Sequence, residues 1–204
     1  MRMRKIAMLL SRLEPNPSNS VELEQYATGG DLAARWITDI AAFNDLPRGC
    51  SVVDLGAGNG ILGLSAMVMG AGRAILIESD GVACDVAKHN AESMGFADSV
   101  EVAHATLGSD PIDLGYADLV ISNPPWGRQT QRADRPFLDS IISARVTSHL
   151  MHSAEARHIE PLFEDQGWSV ERYGEADFAL PAVYSHHSRQ RGKTRAAFWR
   201  LTPQ

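Results

Sequence analysis

A glycine-rich loop and a later carboxylate are the first features of this sequence that could do chemistry. The loop, Asp54-Leu-Gly-Ala-Gly-Asn-Gly60, lies between two apolar runs. It is predicted to join a buried strand to a helix and to let a ligand approach the backbone. Asp54 could hold loop amides or take a ligand ammonium group, and Glu78, 18 residues after Gly60, could accept hydrogen bonds from ribose hydroxyls. An acid-flanked loop would repel phosphate, so it suits the cationic nucleoside S-adenosylmethionine.

The loop is not followed by Gly-Lys-Ser/Thr, which excludes a triphosphate P-loop. A dinucleotide fold would use the pattern G-x-G-x-x-G, and here the third glycine comes one position early. A plain strand–turn–helix junction remains the structural alternative.

The tetrapeptide Asn123-Pro-Pro-Trp126 predicts methyl transfer to a conjugated amine. Such an amine is a poor nucleophile because its lone pair is delocalised into the ring. If the Asn123 side-chain oxygen and the Pro124 carbonyl accept its two N–H bonds, the nitrogen moves toward sp³ geometry and its lone pair points at the methyl group. Pro124 and Pro125 hold that backbone because proline restricts φ. Trp126 offers a face for a base, where stacking contributes about 1–3 kcal/mol.

This chemistry works by positioning and electrostatic stabilisation, with proton loss to water afterwards. The same tetrapeptide serves the amines of adenine, cytosine, guanine and glutamine, so it names the reaction more securely than the substrate. The alternative is an Asn-Pro-Pro turn with Trp126 packed into the core.

The elements that must position these residues alternate between strands and helices. The apolar patterns predict seven strands, at residues 50–55, 74–78, 100–103, 117–122, 145–150, 168–173 and 194–201. They predict helices at residues 2–13, 31–43, 61–69, 81–94, 136–143 and 153–166. Strands alternating with helices imply right-handed crossovers and an α/β fold with a mostly parallel sheet flanked by helices. The short first helix is an N-terminal extension.

Composition and charge narrow the class of protein. A chain of 204 residues with 44% hydrophobic residues suits one α/β domain, and no apolar run has the roughly 20 residues of a membrane span. Two isolated cysteines, Cys50 and Cys84, suit a reducing cytoplasm and argue against a structural zinc site. The net charge of −6 hides basic ends: residues 1–13 carry four cations and no acid, and residues 185–204 carry five and none. Such ends could contact a polyanion or be a solvated surface.

Four segments in order carry a resemblance to a known family. They are Leu23-Glu-Gln-Tyr-Ala-Thr28, Asp54 to Gly60, Asn123-Pro-Pro-Trp-Gly127 and Ala133-Asp-Arg-Pro-Phe137. Together they resemble the methyltransferase-like-5 family, small archaeal and eukaryotic enzymes that methylate adenine N6 in small-subunit ribosomal RNA. The resemblance covers nearly the whole chain. It implies a Rossmann-like class I methyltransferase fold, with residues 1–30 as N-terminal helix and cofactor lid and residues 31–204 as the catalytic domain.

The resemblance also assigns site residues. It implies a lid from Gln25, Tyr26 and Thr28, and it places Asp54 at the methionine end of the cofactor and Glu78 at its ribose. The cofactor set is completed by residues of the loop, of the second and third strand ends, and of the tetrapeptide: Gly56, Gly58, Asn59, Gly60, Ser79, Thr106 and Asn123. Trp126 stands where the family normally has phenylalanine. Many relatives also have an Asp after the third strand for the cofactor adenine, which His104-Ala-Thr106 lacks, so a backbone group or Thr106 would take that role.

RNA contact is the use that the resemblance implies for the basic residues. The candidates flank the tetrapeptide or lie near the C-terminus: Arg128, Arg132, Arg135, His186, His187, Arg189, Arg191, Lys193 and Arg195. A base in folded RNA must be unstacked to reach Asn123, so a loop or junction is the expected substrate. The resemblance further suggests a small zinc-ribbon activator protein, which could add a strand at the sheet edge near residues 100–103.

Two other functions stay open. Glutamine methyltransferases acting on release factors share the tetrapeptide, usually with tyrosine, and a non-catalytic cofactor-binding ribosome-assembly protein is a further alternative. The seven histidines do not predict a metal site, because His149, His152, His186 and His187 lack a carboxylate or cysteine set at ligand spacing.

Overall fold

Strands and helices alternate in the computed structural model, which describes residues 2–17, 28–127, 130–179 and 193–204. The strands are β1 (Ser51–Leu55), β2 (Arg73–Glu78), β3 (Val100–His104), β4 (Leu119–Ser122), β5 (Ser148–Ser153), β6 (Trp168–Ala179) and β7 (Lys193–Pro203). The helices are α1 (Met3–Leu10), α2 (Gly30–Ala42), α3 (Ile61–Met69), α4 (Gly81–Ser93), α5 (Arg135–Ala144) and α6 (Ile159–Glu164). Within the described ranges, no helix is long and apolar enough to cross a membrane.

The strands form one sheet in the order β3-β2-β1-β4-β5-β7-β6. The first five pair in parallel, whereas β7 runs antiparallel to both β5 and β6. The predicted mostly parallel seven-stranded sheet with flanking helices and an N-terminal helix is confirmed. The chain moves outward from β1 to β3 and returns to β4 on the other side of β1, so a crevice opens at the carboxyl ends of β1 and β4, where ligands of such sheets bind.

Two apolar clusters cover the two faces of the sheet. One includes residues of α1 to α4, where Trp36 stacks on Phe198 of β7 with ring centroids 5.5 Å apart. The other includes α5 and α6, where Phe163 and Trp199 are fully buried. Neighbouring residues of β7 enter opposite clusters because side chains alternate along a strand. Helix α1 contributes buried side chains, among them Ile6, to the first cluster.

In the C-terminal half, β5 and α6 begin later than the sequence predicts. The fifth strand was predicted at residues 145–150 and the next helix at 153–166, whereas β5 is Ser148–Ser153 and α6 is Ile159–Glu164. Arg145 ends α5 in a left-handed conformation, with φ of 50°, which delays the strand. Pairing with β7 then extends β5, with Ser153 opposite Ala196 and Ala154 N–H donating to the Arg195 carbonyl. This pairing joins segments far apart in sequence, so local periodicity does not show it.

Candidate active site

A cavity of about 350 Å³ lies at the carboxyl ends of β1, β2 and β4, within the range of small-molecule sites. The predicted residues that line it come from the segment before α2, the glycine loop, the ends of β2 and β3, and the tetrapeptide: Thr28, Gly56, Gly58, Asn59, Glu78, Ser79, Thr106, Asn123, Pro124, Pro125 and Trp126. The predicted Gln25 and Tyr26 lie outside the described residues. The fold thus brings five segments, distant in sequence, to one concave surface.

Glu78 forms a rigid part of the cavity wall. Its Oε2 accepts a hydrogen bond from Gly58 N at 2.8 Å, and its Oε1 accepts from Ser79 N and Asp80 N at 2.8 and 2.9 Å. The loop itself is tied to β2, because Gly56 N and Ala57 N both donate to the Ile77 carbonyl. A carboxylate has about four acceptor positions, so Glu78 keeps capacity for a ligand hydroxyl while it holds the loop.

Asp54 lies behind the glycine loop and is not part of the cavity wall. Its side chain is fully buried, and its Oδ2 accepts from Gly63 N in the first turn of α3 at 2.8 Å. Its Oδ1 has no hydrogen-bond partner among the described residues. Burial raises the pKa of Asp54 to about 7, the charge of Glu78 adds to this, and the Gly63 bond opposes it. Of the two roles considered from sequence, the structure displays the bond to a backbone amide; an ammonium contact would need the carboxylate to face the cavity.

Asn123 is held by two side chains. Its Nδ2 donates to Oγ1 of Thr28 at 3.2 Å, and its Oδ1 accepts from Nε1 of Trp126 at 3.1 Å. Trp126 is 8% exposed and lines the cavity, and its ring packs against Phe178 and stacks on His152. Trp126 therefore makes a hydrogen bond within the tetrapeptide and aromatic contacts with residues outside it.

A cluster of Asp134, His152 and His158 supports the far side of the Trp126 ring. Oδ2 of Asp134 lies 2.6 Å from Nε2 of His158 and 3.2 Å from Nε2 of His152. Burial acts to raise the pKa of Asp134, but bonds from the two histidines outweigh it, so that pKa lies below its ordinary value.

These three groups have ligand atoms close enough for a metal ion, but the position of the proton on His152 favours a hydrogen-bonded cluster. Ser153 N donates to Nδ1 of His152 at 2.8 Å. In a neutral imidazole only one nitrogen is an acceptor, so Nε2 carries the proton and faces Asp134. A metal at that Nε2 would require the neutral imidazole to lose its one N–H proton and become an imidazolate.

Comparison with known proteins shows where the chain belongs. It is 31% identical to protein MJ0284 of Methanocaldococcus jannaschii over 199 residues, which is 91% of this chain and 87% of that protein. It is 29% identical to the rRNA N(6)-adenosine-methyltransferase METTL5 of Danio rerio, over the whole of both chains. The chain belongs to the methyltransferase-like-5 family. It is therefore a methyltransferase, and its cofactor is S-adenosylmethionine.

Two further comparisons also find methyltransferases. The solved structure of PH1948 from Pyrococcus horikoshii, a proposed RNA methyltransferase, superimposes with a TM-score of 0.88 and 29% identity, covering 100% of this chain and 98% of that one. A family model described as "Ribosomal protein L11 methyltransferase (PrmA)" matches residues 35–124. That segment runs from α2 through β4, so it contains the glycine loop and Glu78 but ends within the tetrapeptide.

The residues of this family member fit its cofactor. A Cβ added at Gly58 would meet no atom within 4 Å, so the loop leaves open space at the cavity wall. The neighbouring Glu78 is 7% exposed and would accept a hydrogen bond from a ribose hydroxyl. Thr106 N donates to Oδ2 of Asp110 at 2.7 Å. This amide is thus occupied, so the adenine of the cofactor would need the Thr106 side chain or another backbone group.

Several residues at the site were missed from sequence. Asn16 and Phe137 line the cavity, and Asn90, 1% exposed, bonds both Glu14 and the glycine loop. Asp134, in the Ala-Asp-Arg-Pro-Phe motif, was noted only as part of the resemblance. None of these has a spacing that marks it, because they reach the site from the segment after α1, from α4 and from the start of α5.

The predicted polyanion contacts are described only in part. Arg132 is exposed, between cavity residues Thr130 and Ala133. Nε of Arg135 donates to both carboxylate oxygens of Asp139, and Arg195 pairs with Glu175 at 2.6 Å. The side chain of Lys193 is not described. Five other candidates lie outside the described residues: Arg128, His186, His187, Arg189 and Arg191. Exposed cations that the prediction did not include lie on and beside α1: Arg2, Arg4, Lys5 and Arg12.

Proposed function

We propose that this protein transfers a methyl group to the N6 amine of an adenine in structured RNA, most simply small-subunit ribosomal RNA. The observation that carries the proposal is the tetrapeptide Asn123-Pro-Pro-Trp126 on the wall of the cavity that Glu78 and the glycine loop also line. The likeness to METTL5 over the full length of both chains supports this choice of amine and RNA.

The chain's own groups would activate the amine. S-adenosylmethionine supplies an electrophilic methyl group on a sulfonium sulfur. Asn123 Oδ1 and the Pro124 carbonyl accept the two N–H bonds of the adenine amine and turn its lone pair toward the methyl group. Trp126 limits where the base can lie. No base is needed before methyl transfer, since the proton leaves to water once the nitrogen is positively charged.

RNA phosphates would be contacted by cations around the cavity. Among the described residues, Arg132 has no carboxylate partner, whereas Arg135 and Arg195 each pair with an acid. An ion pair reduces the charge available to phosphate, so we rank Arg132 first. The exposed cations of α1 are further candidates. The target adenine must leave its stack to reach Asn123, which favours a loop or junction.

A zinc-ribbon activator protein remains a proposal. Strand β3 is an end strand of the sheet, paired with β2 alone in the described chain, so its outer edge could accept a strand from a partner. We expect co-expression with the cognate zinc-ribbon protein to raise solubility and activity. Unchanged solubility and activity would contradict the proposal. We also propose that the reaction occurs in the cytoplasm.

Methylation of a protein glutamine uses the same amine chemistry and is the second candidate. The match to a ribosomal protein L11 methyltransferase model favours a protein acceptor, but it covers only residues 35–124. That is the cofactor-binding half, and it carries little of the surface that would choose the acceptor. RNA is therefore the better-supported substrate.

The test is methyl transfer from labelled S-adenosylmethionine to purified small ribosomal subunits, to their naked RNA and to release factor, followed by nucleoside and peptide mass spectrometry. Wild type, Asn123→Ala and the surface control Gln166→Ala are compared, each with and without the zinc-ribbon protein. We expect N6-methyladenosine with wild type and Gln166→Ala and none with Asn123→Ala. Label in protein alone would support the glutamine alternative, and no label at all would support a non-catalytic role.

A further inference from the structure

The side-chain amide of Asn123 has one orientation that satisfies both of its neighbours. Its Nδ2 faces Thr28 Oγ1 at 3.2 Å and its Oδ1 faces Trp126 Nε1 at 3.1 Å. We propose that Thr28 and Trp126 are positioning residues that select this orientation and so keep Oδ1, rather than Nδ2, available to the substrate amine. This inference rests on the proposed function.

The chemical basis is the difference between the two neighbours. The indole N–H of Trp126 is a donor only, whereas the Thr28 hydroxyl can donate or accept. If the amide of Asn123 rotated by half a turn, Thr28 could still bond it, but two N–H groups would face each other at Trp126. Trp126 therefore decides which way the amide points, and Thr28 completes the arrangement.

The remaining acceptor capacity matches the proposed chemistry. An amide oxygen has two acceptor positions, and Trp126 occupies one of them. One is left, so Asn123 can accept a single N–H from the amine, and the second N–H must go to another acceptor such as the Pro124 carbonyl. A flipped amide would present its own N–H groups to the amine and would repel it.

Trp126 is itself held so that it can act in this way. Its ring lies 4.8 Å from Phe178 and stacks at 6.0 Å on His152, centroid to centroid. Nδ1 of His152 accepts a hydrogen bond from Ser153 N, and its Nε2 lies 3.2 Å from Oδ2 of Asp134. The indole N–H thus has a direction set by packing before any substrate arrives, which is the condition for preorganised catalysis.

The variants Trp126→Phe, Thr28→Val and Thr28→Ser test the proposal. Phenylalanine keeps an aromatic ring and removes the donor; valine removes the acceptor at nearly constant shape; serine keeps it. We expect Trp126→Phe and Thr28→Val each to lower kcat for RNA methylation by about three- to tenfold, the factor of one neutral hydrogen bond. KM for S-adenosylmethionine should stay within about twofold in Trp126→Phe, because the lost bond from Trp126 to Asn123 orients the group that binds the substrate amine and does not hold the cofactor. Thr28→Ser should stay closer to the wild-type rate than Thr28→Val.

A second measurement does not depend on which molecule accepts the methyl group. The Asn123 side-chain amide protons are assigned by nuclear magnetic resonance through their loss in Asn123→Asp, and their solvent exchange is measured in the free protein. We expect faster exchange in Trp126→Phe and Thr28→Val than in wild type and Thr28→Ser. If wild type does not methylate RNA, the proposed function fails, and the exchange rates still decide the orientation. Unchanged exchange in folded Trp126→Phe, or an unchanged kcat, overturns the inference.

Discussion

The side-chain amide of Asn90 binds both backbone groups of Glu14, in the manner of a neighbouring β-strand. Its Oδ1 accepts from Glu14 N at 2.8 Å, and its Nδ2 donates to the Glu14 carbonyl at 3.1 Å and to the Asn59 carbonyl at 3.0 Å. Asn59 adds a bond from its Nδ2 to the same Glu14 carbonyl. The segment that follows α1 is thereby joined to the glycine loop, and this places Asn16 on the cavity wall.

Replacing Asn90 by alanine should destabilise the protein and weaken cofactor binding together. The change removes three hydrogen bonds to the partly buried backbone of Glu14 and Asn59, at about 0.5–1.5 kcal/mol for each, and frees the segment that carries Asn16. We expect a free energy of unfolding lower by about 2–4 kcal/mol in urea titration, and weaker S-adenosylmethionine binding by calorimetry. Glu14→Ala is the matched control, since the interaction uses only the Glu14 backbone. Equal losses in the two variants would contradict this account.

Gly58→Ala should impair cofactor binding more than stability. Gly58 has φ of +55°, which costs about 1 kcal/mol or more for a residue with a Cβ, and it lines the cavity. Gly49 also has positive φ, and an added Cβ there likewise meets no atom within 4 Å, but it does not line the cavity. Both variants should unfold at similarly reduced temperature, and only Gly58→Ala should bind S-adenosylmethionine at least tenfold more weakly. Retained affinity in Gly58→Ala would show that the cofactor does not approach this loop.

Asp54 should make stability fall as the pH rises toward neutrality. The folded-state pKa of Asp54 is raised to about 7. Its contribution to the free energy of unfolding is therefore complete below pH about 4 and is lost as the pH rises through about 7. The full loss is on the order of 4 kcal/mol. Relative to Asp54→Asn, wild type should lose stability between pH 4 and 8 in thermal unfolding. The exposed Asp31→Asn should keep the wild-type profile, and parallel wild-type and Asp54→Asn curves would rule out a buried titrating Asp54.

Tyr173 should stabilise the contact between α2 and the sheet through two buried partners. It accepts from Trp36 Nε1 at 2.7 Å and lies 2.9 Å from His149 Nδ1. His149 Nε2 faces the Asp45 carboxylate, which Arg200 also binds, so Tyr173 donates its proton to Nδ1. Tyr173→Phe leaves an indole donor and an imidazole acceptor unpaired, and we expect a loss of about 2–4 kcal/mol in urea titration.

The control for this change is Tyr116→Phe, because Tyr116 is 45% exposed. The affinity for S-adenosylmethionine should be unchanged in Tyr173→Phe, since none of these groups lines the cavity. Weaker cofactor binding in that variant would show that this part of the core is coupled to the site.

Arg132 should contribute to RNA affinity in a salt-dependent way. If it contacts one phosphate, Arg132→Ala should reduce the slope of log affinity against log salt concentration by about 1. Arg73→Ala is the control, because β2 begins at Arg73 and the cavity lies at the opposite end of that strand. Filter binding over a range of salt concentrations measures both slopes. An unchanged slope for Arg132→Ala would remove this residue from the RNA surface.

Local patterns were sufficient where an element is bounded by its own residues. Helix α3 was predicted at Ile61–Met69 and has those bounds, because a largely apolar segment of nine residues lies between Gly60 and Gly70. The same holds for the position of the glycine loop and the tetrapeptide at strand ends. By contrast, β6 was predicted to end at Tyr173 and continues to Ala179, since pairing with β7 sustains it through a register shift after Arg172.

The sequence by itself determined the alternation of strands and helices and the position of the glycine loop, of Glu78 and of the tetrapeptide at the ends of strands. These depend on short apolar periods and on side-chain chemistry within a few neighbouring residues. Only the tertiary structure decided that Asp54 faces a backbone amide, that Asn90 holds Glu14 and that Thr28 and Trp126 both bind Asn123. Thr28 and Asn123 are 95 residues apart. Hydrogen bonds form between groups that packing of the whole chain brings within about 3 Å, and no local pattern encodes that distance.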